Sequence, residues 1–180
     1  EKKKFSATNN DLFLNLPKEF IFNYIKTYYD EIELRQKVKD YHGKFIDKIL
    51  LKEYQSHNLV YYGNHLYNHF NSVTLSSLEL EEQFEKNWKI LSKFSNAVNY
   101  FSYPYGQPKS CYNVKTNATL YKKTKFIFTS YHAINDNKKG KILHRVSLEN
   151  SDFSDLDIKK SILKGYFKNL LFGKQKSLLN

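Results

Sequence analysis

The chain has 180 residues, enough for one domain with a sizeable core, and its 41% hydrophobic and 17% aromatic content excludes a disordered tail. A net charge of +11 admits nucleic acid, an anionic membrane or an acidic glycan as partner, but the lysines are mostly scattered and no ordered nucleic-acid motif accompanies them, so nucleic acid is not expected. The single cysteine, Cys111, excludes an intrachain disulfide, and no run approaches the roughly 20 apolar residues of a membrane span.

In chain order, Leu12-Phe13-Leu14 reads as a short strand after the polar opening segment. From Pro17 to about Gln55 the pattern is amphipathic and helical. Pro17 suits a first helical position, Phe20, Tyr24, Ile25 and Tyr28 recur at helical spacing, and Gly43 breaks the region into two or more helices. Leu59-Val60-Tyr61-Tyr62 predicts a buried strand ended by Gly63. Ser76-Ser77-Leu78-Glu79 is a capping-box sequence, so a helix starts there and runs to about Asn96 with Phe84, Trp88 and Leu91 as its buried stripe. Val98–Phe101 is a second strand, 113–123 a short helix, and Phe126–Thr129 a third strand. Asn135-Asp136-Asn137 is a loop and Ile142–Leu148 a fourth strand. Asp155–Leu171 is a terminal helix with Ile158, Ile162, Leu163 and Phe167 on one side. Strands alternating with helices predict a single α/β domain over 1–180 with a largely parallel sheet, a barrel or part of one.

The candidate chemistry lies just past the predicted strand ends, where parallel α/β folds gather their sites. His65 and His69 are four apart, a spacing that puts both imidazoles on one face of a helical turn and suits one zinc-like ion, although such pairs also arise by chance. Tyr103-Pro104-Tyr105-Gly106 is either an ordinary turn or one that presents a backbone N–H to a developing oxyanion. His144, beside Arg145 on the fourth strand, and His132, after the third, are candidate general acids. His42 and His57 stand in lysine-rich helical surroundings and read as structural or exposed. Cys111 has no activating neighbour in the sequence.

At these residues the chain resembles the polysaccharide deacetylases, carbohydrate esterase family 4. Gly63-Asn64-His65-Leu66-Tyr67-Asn68-His69 is similar to the family's second motif. Tyr103-Pro104-Tyr105-Gly106 is similar to its third, in the variant without the arginine that many members carry where this chain has Ser102. The helix entry at Leu75–Glu79, the strand Lys125–Ser130 and the segment Leu143-His144-Arg145-Val146 extend the resemblance over about 58–149. The resemblance implies a deformed (β/α) barrel and a divalent metal, usually zinc, held by His65, His69 and an Asp. It also implies a second Asp as base, a late histidine (His144 or His132) as acid, and the Tyr105 N–H at the oxyanion.

The family's first motif, Asp-Asp-Gly, is absent. Aligned on Thr8-Asn9-Asn10-Asp11-Leu12, Asp11 becomes the third metal ligand and Asn10 replaces the base. The favoured alternative puts the first strand and its carboxylates upstream of Glu1, and a partner chain completing the site is a further one. The expected function is deacetylation of an acetylated glycan, weak or absent without those carboxylates, in the cytoplasm or a bacterial cell envelope. A non-catalytic carbohydrate-binding or scaffolding relative is the second expectation. The third is peripheral membrane contact through an amphipathic helix over 155–178, where Lys159, Lys160, Lys164 and Lys168 surround an apolar stripe.

Overall fold

A computed structural model describes residues 48–135, 140–146 and 154–172, with the backbone alone for 168–172, and six isolated earlier positions. Asp11, His42, the Leu12–Leu14 strand and most of the region from Pro17 lie outside the described residues. The chain divides into two compact units, Glu1–Tyr61 with Phe94–Asn96, and Tyr62–Lys93 with Ala97–Asn180.

In the first unit, helix α1 (Lys48–Tyr54) ends in tight turns in which His57 N donates to Tyr54 O and Val60 N to His57 O. The Asn96 side chain donates to Val60 O at 2.8 Å and supports the end of this segment. His57 is exposed and its Nδ1 accepts from Leu59 N, a local turn role.

The second unit is an α/β layer of strands β1 (Tyr62–Asn64), β2 (Ala97–Ser102), β3 (Phe126–Thr129) and β4 (Ile142–His144) in the order β1-β2-β3-β4, all parallel. Helix α2 (Ser77–Leu91) joins β1 to β2, and α3 (Val114–Tyr121) joins β2 to β3. Each is a βαβ unit, the connection that parallel pairing requires. α2 starts at the expected residue. Ser76 Oγ accepts from Glu79 N, and the Glu79 carboxylate accepts from Ser76 N, so both exposed donors of the helix entry are satisfied. Asn113 caps α3 through the same reciprocal arrangement with Thr116.

Alternation along β2 and β3 sorts their side chains between two faces. Phe101 and Ile127 point to the helix-covered side and are fully buried with Leu80, Phe84 and Leu120. Phe101 lies edge-on to Tyr103 at 4.9 Å, and Tyr103 stacks on Tyr112 at 4.9 Å. Burying each such ring contributes about 1.5–3 kcal/mol. The alternate residues Tyr100, Phe126 and Phe128 form a second, half-buried aromatic cluster on the other face.

Several boundaries differ from expectation, and α2 ends at Leu91 rather than near Asn96. β1 begins at Tyr62 and runs through Gly63 instead of ending there, while Leu59 and Tyr61 are exposed. Gly63 lies so close to β2 that an added Cβ would come within 3.3 Å of Tyr100 O, and the β1–β2 register shifts between Tyr62 and Asn64. The glycine therefore serves close strand approach rather than strand termination. β4 closes at His144, with Arg145 N still donating to Thr129 O, and Asn135 covers its outer edge: His144 N donates to Asn135 Oδ1, and Asn135 Nδ2 to His144 O. Helix α4 (Asp155–Phe172) turns Ile158, Ser161 and Gly165 toward the domain, whereas Ile162, Leu163 and Phe167 are exposed, reversing most of the expected stripe.

Candidate active site at the strand ends

The parallel sheet brings three loops and the end of β4 to one edge. His65 and His69 follow β1, Tyr103–Gly106 follow β2, Ser130–His132 follow β3, and His144 is the last residue of β4. The register pairs Ser102 with Phe128 and Thr129 with His144, so the strand ends are level.

Asn64 fixes the first loop. It is almost fully buried; its amide donates to Phe84 O at 2.9 Å, and its Oδ1 accepts from Leu66 N and Asn87 Nδ2, each at 3.0 Å. A buried amide with these three bonds resists any other rotamer, so it ties the loop after β1 to α2. Farther along, Asn68 N donates to Gln83 Oε1 on the same helix. Leu66 and His69 hold left-handed backbone angles, φ 62° and 55°, which these bonds sustain.

His65 Nδ1 lies 2.6 Å from Ser102 O. A carbonyl only accepts, so Nδ1 carries the proton and Nε2 of the neutral ring keeps its lone pair. The His69 ring stands edge-on at 4.8 Å between centroids, and Tyr105 packs edge-on against His69 at 5.0 Å. Burial holds His65 below the ordinary histidine range; the Ser102 bond opposes that, and the positive fields of His69 and Arg145 reinforce it. Burial likewise lowers His69. Two neighbouring neutral imidazoles, one fixed in its tautomer by a backbone carbonyl, match the chemistry of a zinc-type ligand pair. Among the described residues no third His, Cys, Asp or Glu joins them.

The Tyr105 turn is built for one conformation. Tyr105 and Gly106 have φ of 60° and 72°, and Gly106 N donates to Pro104 O at 2.6 Å. The end of β3 clamps the turn: Ser130 N donates to Gly106 O, and Ser130 Oγ to Tyr105 O. A Cβ on Gly106 would lie 2.8 Å from Ser130 Oγ and 2.9 Å from Ser130 N, so only glycine fits. Among the described residues the Tyr105 N–H has no hydrogen-bond acceptor. Below the turn, the buried Tyr103 hydroxyl donates to Asn117 Oδ1 at 2.9 Å. Burial raises its pKa, with the Thr116 hydrogen bond opposing, so it is a neutral strut.

The two late histidines have different surroundings. His144 Nδ1 lies 2.9 Å from Thr129 Oγ1, and its ring meets Tyr131 edge-on at 5.3 Å. His132 Nε2 instead lies 2.8 Å from Ser161 O, committed to α4. Cys111 is buried, with its Sγ 3.6 Å from Ser110 Oγ.

The sequence reading named the side chains of this edge but not the Ser102 carbonyl, because a main-chain acceptor leaves no residue-type signal. The anchoring of Asn64 to Phe84 and Asn87 was legible only as an asparagine beside a histidine. Compared with family models, curated proteins and solved structures, the chain matches none.

Proposed function

We propose that this chain is a metal-dependent deacetylase of acetylated sugars in a polysaccharide or glycolipid, built on the deformed (β/α) barrel of the polysaccharide deacetylases. The meeting of His65, His69 and the Tyr105 turn at the C-terminal edge of a parallel sheet carries this reading. The consecutive strand order and the aromatic cluster of Tyr100, Phe126 and Phe128, opposite the helix-covered face, support the barrel.

His65 and His69 would hold the divalent ion through ring nitrogens that burial keeps unprotonated. When bound, such an ion, zinc by preference, polarises an acetyl carbonyl and acidifies a water. The Tyr105 N–H would donate to the oxyanion, held in place by Ser130. His144 would protonate the departing amine or alkoxide, its ring steadied by Thr129. His132 is the poorer acid because Nε2 is spent on α4. The third ligand would be Asp11, with Asn10 in place of the base, or a partner chain would complete the site with both carboxylates.

The test pairs zinc content and affinity with acetate release from acetylated oligosaccharides, for this chain and for His65→Ala/His69→Ala. One bound zinc, lost together with acetate release in the variant, is the expected result. No zinc in either protein would sink the metal reading. A second reading, a non-catalytic carbohydrate-binding relative, is favoured by the absence of a third metal-ligating side chain among the described residues. Glycan binding that persists after chelation, without acetate release, would select it.

A further inference from the structure

Helix α4 has an inner side packed on the domain and an exposed apolar side that no described residue covers. Its start is set by a capping box: Ser154 N donates to Asp157 Oδ2 and Asp157 N donates to Ser154 Oγ, each at 3.3 Å. The inner side lies close on the segment after β3. A Cβ on Gly165 would come within 3.5–3.6 Å of Ile134 and Ala133, and Ser161 O meets His132.

At 100° per residue, Leu156, Leu163 and Phe167 fall on one line along the opposite side. They are 58%, 54% and 57% exposed. Lys159 and Lys160 fall on either side of this line, with Lys164 beyond, and all three are exposed. The only acids of the helix, Asp155 and Asp157, sit in its first turn, where carboxylates satisfy the helix entry. From Ile158 to Phe167 the helix therefore presents an apolar ridge bordered by positive charge alone.

We propose that α4 is a peripheral membrane anchor that lies flat on an anionic bilayer. Leu156, Leu163 and Phe167 enter the acyl boundary while the lysine stems run along it and their ammonium groups meet anionic headgroups. Charge complementarity selects this occupant. A bilayer surface offers negative charge on both sides of an inserted ridge, which is what lysines on both flanks require. No described helix is long and apolar enough to cross a membrane, so the helix rests on the surface. This inference is independent of the metal site.

The test is cosedimentation of the full chain with vesicles of phosphatidylcholine plus phosphatidylglycerol, and with phosphatidylcholine alone. Binding is expected on the anionic vesicles only and is lost in high salt. Leu163→Ser/Phe167→Ser reduces it about tenfold or more. Lys159→Gln/Lys160→Gln, which keeps the ridge, reduces it about fivefold per lysine. All the altered side chains are exposed, so the circular dichroism spectrum and unfolding midpoint stay at the parent values. Absence of binding by the parent chain overturns the proposal, as does binding untouched by both variants. So does a ridge variant that converts a dimer to a monomer without any vesicle binding by the parent.

Discussion

His65 on the loop after β1 donates its Nδ1 proton to the Ser102 carbonyl at the end of β2, across 2.6 Å. One main-chain oxygen thereby sets the ring's tautomer, its orientation and the free nitrogen it offers to the site. The bond links two strands that are neighbours only because the sheet is parallel and consecutive.

Removing either imidazole leaves one ring of the His65–His69 pair. His65→Ala and His69→Ala are each expected to lower zinc affinity at least about tenfold, with the double variant binding none. Isothermal titration with zinc reads this directly. Unchanged affinity in both single variants would show that the metal is held elsewhere.

Acid weakens the fold through the same two rings. His65 and His69 are held below the ordinary histidine value of 6.5, so near and below that pH the unfolded chain binds more protons than the folded one. Their contribution is fully present above about pH 6.5 and is lost as pH falls from there through the lowered folded values. Unfolding midpoints at pH 8 and pH 5 should show it, with a smaller drop for His65→Gln/His69→Gln. Titration of the two rings by NMR with midpoints above 6.5 would falsify the assignment.

Asn64→Ala removes a buried side chain that satisfies three partners. The loss is expected to reach about 2 kcal/mol, since Leu66 N is left unpaired in the interior, whereas Phe84 O keeps its bond within α2. Zinc affinity should fall in the same variant because the loop after β1 loses its tie to α2. Urea unfolding and zinc titration test both halves. A stable variant with parent affinity would show that the loop is held without Asn64.

Gly106→Ala meets two obstacles, a φ of 72° and the Ser130 side chain 2.8 Å from the new carbon. Destabilisation of about 2 kcal/mol or more is expected, with loss of acetate release as the Tyr105 N–H moves. Ser130→Ala should rescue little of the loss, because Ser130 N at 2.9 Å and Cβ at 3.1 Å still crowd the new carbon. A Gly106→Ala protein with unchanged unfolding midpoint and turnover would remove the turn from the site.

The late histidines separate by kinetics. His144→Gln is expected to lower kcat for acetate release by about 100-fold or more while KM stays near its original value. His132→Gln should leave turnover close to the parent and lower the unfolding midpoint, because His132 ties the segment after β3 to Ser161 on α4. The reverse pattern would exchange their roles.

Local chemistry made much of this chain legible before any coordinates. The capping box at Ser76 and the apolar run Phe126–Thr129 each form the predicted element, because short-range hydrogen bonds and strand propensity decide them. Alternation of these segments gave the α/β class and the parallel sheet. The start of β1 was hidden, since it depends on how closely Gly63 approaches Tyr100, as was the clasp of Asn135 on the outer edge of β4 at His144.

The sequence by itself determined helices α2 and α3, the positions of β2 and β3 and the identity of the histidines, because spacing and capping act within a few residues. Only the tertiary structure decided which nitrogen His65 offers, which late histidine is committed to a helix, and which side of α4 faces outward. Each of those depends on a partner 29 or more residues away, as Ser102 is from His65 and Ser161 from His132, or on the packing of Gly165 against Ala133. Such contacts form only when the parallel sheet brings its strand ends together.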